Sequence, residues 1–154
     1  MTASSPSKRR GRQLDEIAVA LPQRAASLLK VFLARTTVPL SRTEANVLAA
    51  LAERPWRITE LAARERITQP GVTLLVNRLE QRGWAERHVD ASDRRVVLVT
   101  ITPEGEEVLA RLRAEYRALL HEEMATLPEE DVGTLARAIE IVDRLIERLE
   151  AHER

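Results

Sequence analysis

Three features of this sequence predict a mainly α-helical chain carrying one small β-hairpin. Apolar residues recur at spacings of three and four along most of its 154 positions, the mark of amphipathic helices. Only 3% of residues are aromatic, so the core must be built from Leu, Ile, Val and Ala, a mix that favours helix over sheet when glycines are few. The third feature is a helix-turn-helix pattern, ITELAARERITQPGVTLLVNRLEQRGW from Ile58 to Trp84. It runs directly into two short strand-like segments joined by DASDRR.

Taken in order, the first helical pattern runs from Leu14 to about Thr36, with Ile17, Leu21, Leu28, Leu29, Phe32 and Leu33 on its apolar stripe. Pro22 lacks a backbone donor and is expected to kink or split this helix. Residues 1–12 are rich in Ser, Arg and Lys and are expected to form a disordered basic tail. Ser41 and Glu44 form a capping box for a second helix, whose stripe is Val47, Leu48 and Leu51 and which stops before Pro55. Trp56 to Ile58 reads as a short extended piece able to add a strand to the hairpin. Thr59 is expected to cap a third helix through Leu61, Ala62 and Glu65. Thr68 caps the fourth, with Pro70 in its first turn, Val72, Leu75, Val76 and Leu79 inward, and Gly83 as its stop.

Trp84–Val89 and Val96–Ile101 then read as two strands around a charged turn. Thr102 and Pro103 open a long helix through Val108, Leu109, Leu112, Tyr116, Leu119 and Leu120. A capping-box pattern at Thr126 and Glu129 starts the last helix, with Val132, Leu135, Ile139, Val142, Ile146 and Leu149 at spacings of three and four. The fold class is therefore mainly α with a small β-hairpin wing. A winged helix-turn-helix at 40–102 lies between an N-terminal dimerisation helix at 13–38 and C-terminal dimerisation helices at 103–154. The dimer is inferred because long helices with broad apolar stripes around a small body need a partner surface, which a second copy supplies.

The net charge is zero, but its distribution is uneven. Residues 1–12 hold four basic groups and no acid; residues 57–96 hold eight Arg against six acids; residues 104–154 hold seven Arg against fourteen acids. Such a chain can turn a positive face to phosphate while its acidic part stays in solvent. There is no cysteine, which excludes disulfides and thiolate metal sites. No apolar run approaches the ~18 residues of a membrane span, and MTASSPSKRRGR lacks an apolar leader core, so a cytoplasmic protein without a membrane partner is expected.

The fourth helix turns outward Gln69, Gly71, Thr73, Leu74, Asn77 and Arg78, just after its cap Thr68. Asn and Gln can pair bidentately with adenine and Arg with guanine, and Thr or Leu methyls can meet a thymine methyl. Gly71 lets the backbone come close. At the hairpin tip, Asp93, Arg94 and Arg95 place guanidinium groups where a minor groove or phosphate row would lie, and Asp93 can hold the Arg95 fork while leaving donors free. Double-stranded DNA is the partner this pattern calls for.

These residues resemble the multiple-antibiotic-resistance regulator (MarR) family of bacterial transcription factors. The likeness runs from LSRTEANVLAAL at Leu40, through ITELAARERITQPGVTLLVNRLEQRGW, to DASDRRVVLVTITPEGEEVL ending at Leu109. Its wing signature is Asp93, Arg94 and Arg95, then VVLVTIT and Gly105. The resemblance implies a homodimer that binds a pseudo-palindromic operator, with Thr68, Gln69, Gly71, Thr73, Asn77 and Arg78 toward the major groove and Arg94 and Arg95 toward the minor groove. It also implies a repressor released by a small aromatic or lipophilic effector held between the dimer helices and the winged helix. Leu29, Phe32, Val47, Leu51, Trp56 and Tyr116 are the candidates near such a cleft, although each also suits plain core packing. Gln69-Pro70-Gly71 departs from the Ser-rich helix start more usual in the family.

Enzyme and metal readings find little support. His121-Glu122-Glu123 is followed by Ala125 where a zinc pattern needs a second His, and His88, His121 and His152 are scattered. No Gly-rich phosphate loop occurs, and no cofactor is expected. The competing reading is a winged helix used for protein-protein contact or oligomerisation without ligand response; fold alone does not separate it from a DNA binder.

Overall fold

A computed structural model describes residues 6–152 of the chain. The order is α1 (Pro6–Arg35), α2 (Arg42–Glu53), α3 (Ile58–Glu65), α4 (Gln69–Gln81), β1 (Ala85–Val89), β2 (Val97–Ile101), α5 (Pro103–Met124) and α6 (Glu129–Ala151). The two strands pair antiparallel, from Ala85 opposite Ile101 to Val89 opposite Val97. The fold is a winged helix-turn-helix, mainly α with one hairpin.

The chain forms two compact units whose boundary falls inside α5, between Glu115 and Tyr116. In the first unit, α2, α3 and α4 close on a single core. Val47, Leu48, Leu61, Val72, Val76, Leu79 and Val99 are fully buried, and Val108, Leu109 and Leu112 from the start of α5 complete it. This core is almost wholly aliphatic, as the composition required. Each of its helices carries its apolar side chains three and four apart, so one face buries while the other stays wet.

Most local signals are realised. Ser41 Oγ accepts from the Glu44 N–H, and Glu44 accepts from the Ser41 N–H at 2.9 Å, which closes the capping box of α2. Thr68 Oγ1 accepts from the Gly71 N–H at 3.3 Å, with Pro70 in the first turn. Gly83, at φ 74°, ends α4: its N–H reaches Glu80 O and that of Trp84 reaches Leu79 O, a left-handed helix stop that L side chains disfavour. The hairpin gains one extra bridge, where Trp56 exchanges both backbone hydrogen bonds with Val99 at 3.0 and 2.8 Å.

Several expectations need correction. The chain is helical from Pro6, so residues 6–12 belong to α1 rather than to a disordered tail, of which residues 1–5 lie outside the described part. Extending a formed helix adds one hydrogen bond per residue fixed, arginine and lysine are good helix formers, and Arg12 pairs with Glu16 one turn on at 3.0 Å. Pro22 does not split α1, which runs unbroken past it to Arg35. The extended piece is one bridge at Trp56, because Ile58 already opens α3 with Arg57 as its cap; Thr59 lies inside the helix. Thr126 does not cap α6 either. It donates to Glu123 O at 2.7 Å instead, and α6 starts after Pro128.

One further correction concerns α1. It contains an 18-residue window of mean hydropathy 1.4 with no more than two charged residues, so by length and composition alone it could cross a membrane. Arg24 and Lys30 interrupt its apolar stretch, and a charge at bilayer depth is costly. A face for packing another helix is the simpler use.

In the turn between α3 and α4, Arg66 adopts φ 53° and ψ 39°, the left-handed conformation that disfavours a side chain. Its N–H meets Ala62 O and Ala63 O, so the turn holds it there. Arg66→Gly is expected to raise the unfolding free energy by up to about 1 kcal/mol in urea denaturation, since strain relief slightly exceeds the added chain entropy. A loss of more than that would show that the arginine side chain holds the turn.

Candidate nucleic-acid interface

Helix α4 is fixed from three sides, and this decides which of its side chains are available. Val72, Leu75, Val76 and Leu79 are buried in the core. The opposite face carries exposed Gln69, Leu74 and Arg78 and half-buried Gly71, Thr73 and Asn77. All seven predicted residues on this segment, from Thr68 to Arg78, thus fall on or next to one outward helical surface. Leu74 is 63% exposed and offers an apolar side chain on this face. Thr73 donates its hydroxyl back to Gln69 O at 2.9 Å, which spends that donor within the helix.

Arg78 and Arg82 converge on one carboxylate. Glu44 lies 3.4 Å from Arg78 Nε and 3.8 Å from Arg82 Nη1 while its side chain is 6% exposed. Burial pushes the Glu44 carboxyl upward, but the Ser41 hydrogen bonds and then the Arg82 and Arg78 charges outweigh it and hold its pKa below the usual value. Glu44 therefore stays ionised, caps α2 and tethers α4 to it. Arg78 keeps 55% of its side chain exposed and so has surface left for a ligand.

At the other end of α4, Arg87 reaches up from β1. It donates to Glu80 through Nη1 and to Asn77 Oδ1 through Nη2, the latter at 2.9 Å. Arg87, Glu80 and Glu44 were absent from the predicted site. Glu44 was legible only as a cap, and Arg87 only as a strand residue, because pairs between elements leave no mark in local spacing.

The wing tip is a carboxylate-organised turn. Asp90 Oδ1 accepts from the Ser92 N–H, the Ser92 hydroxyl and the Asp93 N–H at 2.6, 2.5 and 3.3 Å. Asp93 accepts from the Arg95 N–H at 3.0 Å and from Nε and Nη2 of its guanidinium at 3.1 and 3.3 Å. These bonds, from Arg95 first for Asp93 and from Ser92 first for Asp90, hold both carboxyls below the ordinary aspartate range. Arg95 stays 92% exposed although it is paired, so Asp93 aims the guanidinium without hiding it. Arg94 is exposed beside it. The hairpin thus presents two cations on a hydrogen-bonded turn.

An open cleft of ≈ 700 Å³ lies along this surface, lined by Ser41, Thr43, Arg66, Thr68, Gly71 and Arg78 among others. None of the six effector candidates lines it. Phe32, Val47 and Leu51 are buried core residues, while Leu29, Trp56 and Tyr116 are half-buried. Trp56 is committed to structure: its Nε1 donates to Ala50 O at 2.8 Å, and the Arg54 guanidinium stacks 3.4 Å from its ring centre.

Residues 38–96, the span from the end of the α1 loop to the wing tip, match the sequence model of the MarR family. The HTH-type transcriptional repressor MdtR of Bacillus subtilis is 29% identical over 109 residues, covering 70% of this chain and 68% of that relative. The crystal structure of the transcriptional regulator BldR from Sulfolobus solfataricus superimposes with a TM-score of 0.64 at 26% identity, over 94% of this chain and 99% of that one. Streptococcus pneumoniae FabT, solved in complex with DNA, shares the fold with a TM-score of 0.63 at 19% identity, over 90% of this chain and 98% of that one. With the capped α4, the arginine-tipped hairpin and a long helix on either side, the chain is similar to the MarR family of winged helix-turn-helix DNA-binding transcriptional regulators, whose sequence model residues 38–96 match.

Proposed function

We propose that two copies of this chain join through α1 and α6 and act in the cytoplasm, with no membrane partner, as a repressor on a pseudo-palindromic operator. Each α4 enters a major groove, with Thr68, Gln69, Gly71, Thr73, Leu74, Asn77 and Arg78 toward the base edges. Arg94 and Arg95, aimed by Asp93, reach the flanking minor groove or phosphates. The observation that carries this reading is the outward face of α4: uncharged polar groups and a bare leucine, bracketed by arginines, beside a two-arginine wing. A complex of FabT with DNA and the repressor name of MdtR support the partner and the direction of control.

The pairing of copies is supported by apolar surface that the single chain leaves open. On α1, Leu14, Ile17, Leu28 and Val31 are 47–58% exposed; on α6, Ile139 is 61% and Leu149 69% exposed. That is too much contiguous hydrocarbon for a free surface helix. Release by a small lipophilic or aromatic ligand belongs to the same reading.

Selection of duplexes from a random pool by the purified protein, at ~50 mM salt with and without lipophilic compounds, tests this. Enrichment of two half-sites about one helical turn apart is expected, with a dimer mass in solution. A stable monomer, or no enrichment, would overturn it. Arg95→Ala is expected to leave the dimer mass unchanged while the salt slope of binding falls by about two, one phosphate contact per protomer. Loss of folding in that variant would make the arginine structural instead.

A further inference from the structure

The bond between Asn77 and Arg87 bears on which bases this protein reads, and rests on the reading of α4 as the duplex-facing helix. Asn77 stands on the same face as Thr73 and Leu74, four and three residues before it, and is followed directly by Arg78. Its side-chain oxygen accepts from Arg87 Nη2 at 2.9 Å, and the same guanidinium is anchored on Glu80 through Nη1. Arg87 and Glu80 keep only 28% and 27% of their side chains exposed, so this pair is partly sheltered from solvent screening.

A guanidinium has five donors and no acceptor. The amide must therefore turn Oδ1 toward Arg87, which leaves Nδ2, a pure donor, as the atom presented outward. Bidentate recognition of adenine needs donor and acceptor together on one base edge. The second lone pair of Oδ1 does not restore it, because an exocyclic amine approaching there meets the positive field of the Arg87 guanidinium. Cytosine N4 and adenine N6 carry such amines on the major-groove edge, and adenine's N7 acceptor lies directly beside its amine, whereas guanine O6 and N7 form a pair of adjacent acceptors and thymine O4 is an acceptor. Acceptors gain from the same field that repels amines.

We infer that Arg87, anchored by Glu80, makes Asn77 a donor-only reader that selects guanine or thymine, and rejects adenine and cytosine, at one base of each half-site. Arg87 is a positioning residue and touches no base itself. The device also ties base choice to the wing, since Arg87 belongs to β1 and moves with the hairpin.

Parallel random-pool selections with wild type, Asn77→Ala and the double variant Glu80→Gln/Arg87→Met test this, with thermal unfolding to confirm that each is folded. In the wild type, the position whose preference collapses on Asn77→Ala is expected to hold guanine or thymine over adenine by roughly two- to tenfold, the scale of one hydrogen bond. In the double variant the amide is free to turn, and adenine is expected to rise toward parity at that position. Adenine or cytosine there in the wild type overturns the inference alone, as does any outcome in which Asn77→Ala changes no position. A double variant that weakens all sites equally without altering preference also overturns it, because Arg87 is then only a strut. Failure of the wild type to enrich any duplex overturns the function and this inference together.

Discussion

Replacing Gly105 with alanine is expected to destabilise the folded chain by about 3 kcal/mol or more, read as a lowered urea midpoint at unchanged slope. A methyl placed on Gly105 would lie 2.1 Å from the carbonyl oxygen of Trp84 and 2.8 Å from Ile101 Cγ1. The first neighbour is backbone, which cannot rotate aside. It is also in use: the Thr102 N–H donates to Trp84 O at 3.2 Å, while the Thr102 hydroxyl donates to Gly83 O at 2.6 Å and accepts from the Gly105 N–H at 3.1 Å. Relief of the clash therefore moves the first turn of α5 off the start of β1 and disturbs the cap of that helix. Alanine's higher helix propensity returns only about 1 kcal/mol against this. The matched control is Gly133→Ala within α6, where the added methyl meets no atom within 4 Å apart from its chain neighbours and its own helix backbone, and the same propensity gain is expected to raise stability. A stable Gly105→Ala protein would mean that α5 does not sit this close to the hairpin.

Gly105 also illustrates how much the residues disclosed on their own. It was legible as part of a family signature after the wing, but its reason lies in a close approach between α5 and Trp84 that no local pattern encodes. Devices confined to one turn of chain were readable: the Ser41–Glu44 box, the Thr68 cap, the Gly83 stop and the Asp93–Arg95 pair all join residues two or three apart. The same rule failed at Thr59, because α3 already starts at Ile58, and at Thr126, whose hydroxyl donates back to Glu123 O instead of capping α6. Glu44 shows the limit more sharply. Its cap was plain, whereas its pairing with Arg78 and Arg82 spans more than thirty residues and depends on how α2 crosses α4. Asn77 was placed on the correct face, yet its hydrogen-bonding state was hidden, because Arg87 returns to it only after the chain has turned through Gly83 into β1. Helical faces follow from a period; the protonation and orientation of what stands on them follow from tertiary neighbours.

Affinity for a selected operator is expected to fall by about three to five decades between ~50 and ~200 mM salt, if the proposed pair of copies neutralises roughly six to ten phosphates. A chain of net charge zero gains no attraction for DNA from its total charge. The attraction must come from local placement, with eight arginines within residues 57–96 and fourteen acids within 104–154. Several of those arginines already have carboxylate partners: Arg78 with Glu44, Arg87 with Glu80 and Arg95 with Asp93. Partnership lowers the local positive charge but does not remove the free N–H groups of an exposed fork, and Arg95 and Arg78 remain 92% and 55% exposed. Three to five contacts per protomer are then available from α4, its flanking turns and the wing, which sets the slope. Glu44→Gln is the informative companion, because it releases Arg78 and Arg82 from their shared carboxylate and is expected to steepen that slope while weakening the α2 cap. An affinity that ignores salt would mean that the wing and α4 meet a protein surface, where charge pairs replace counterion release. That result would transfer the exposed Leu74 and the two wing arginines to a different kind of interface altogether.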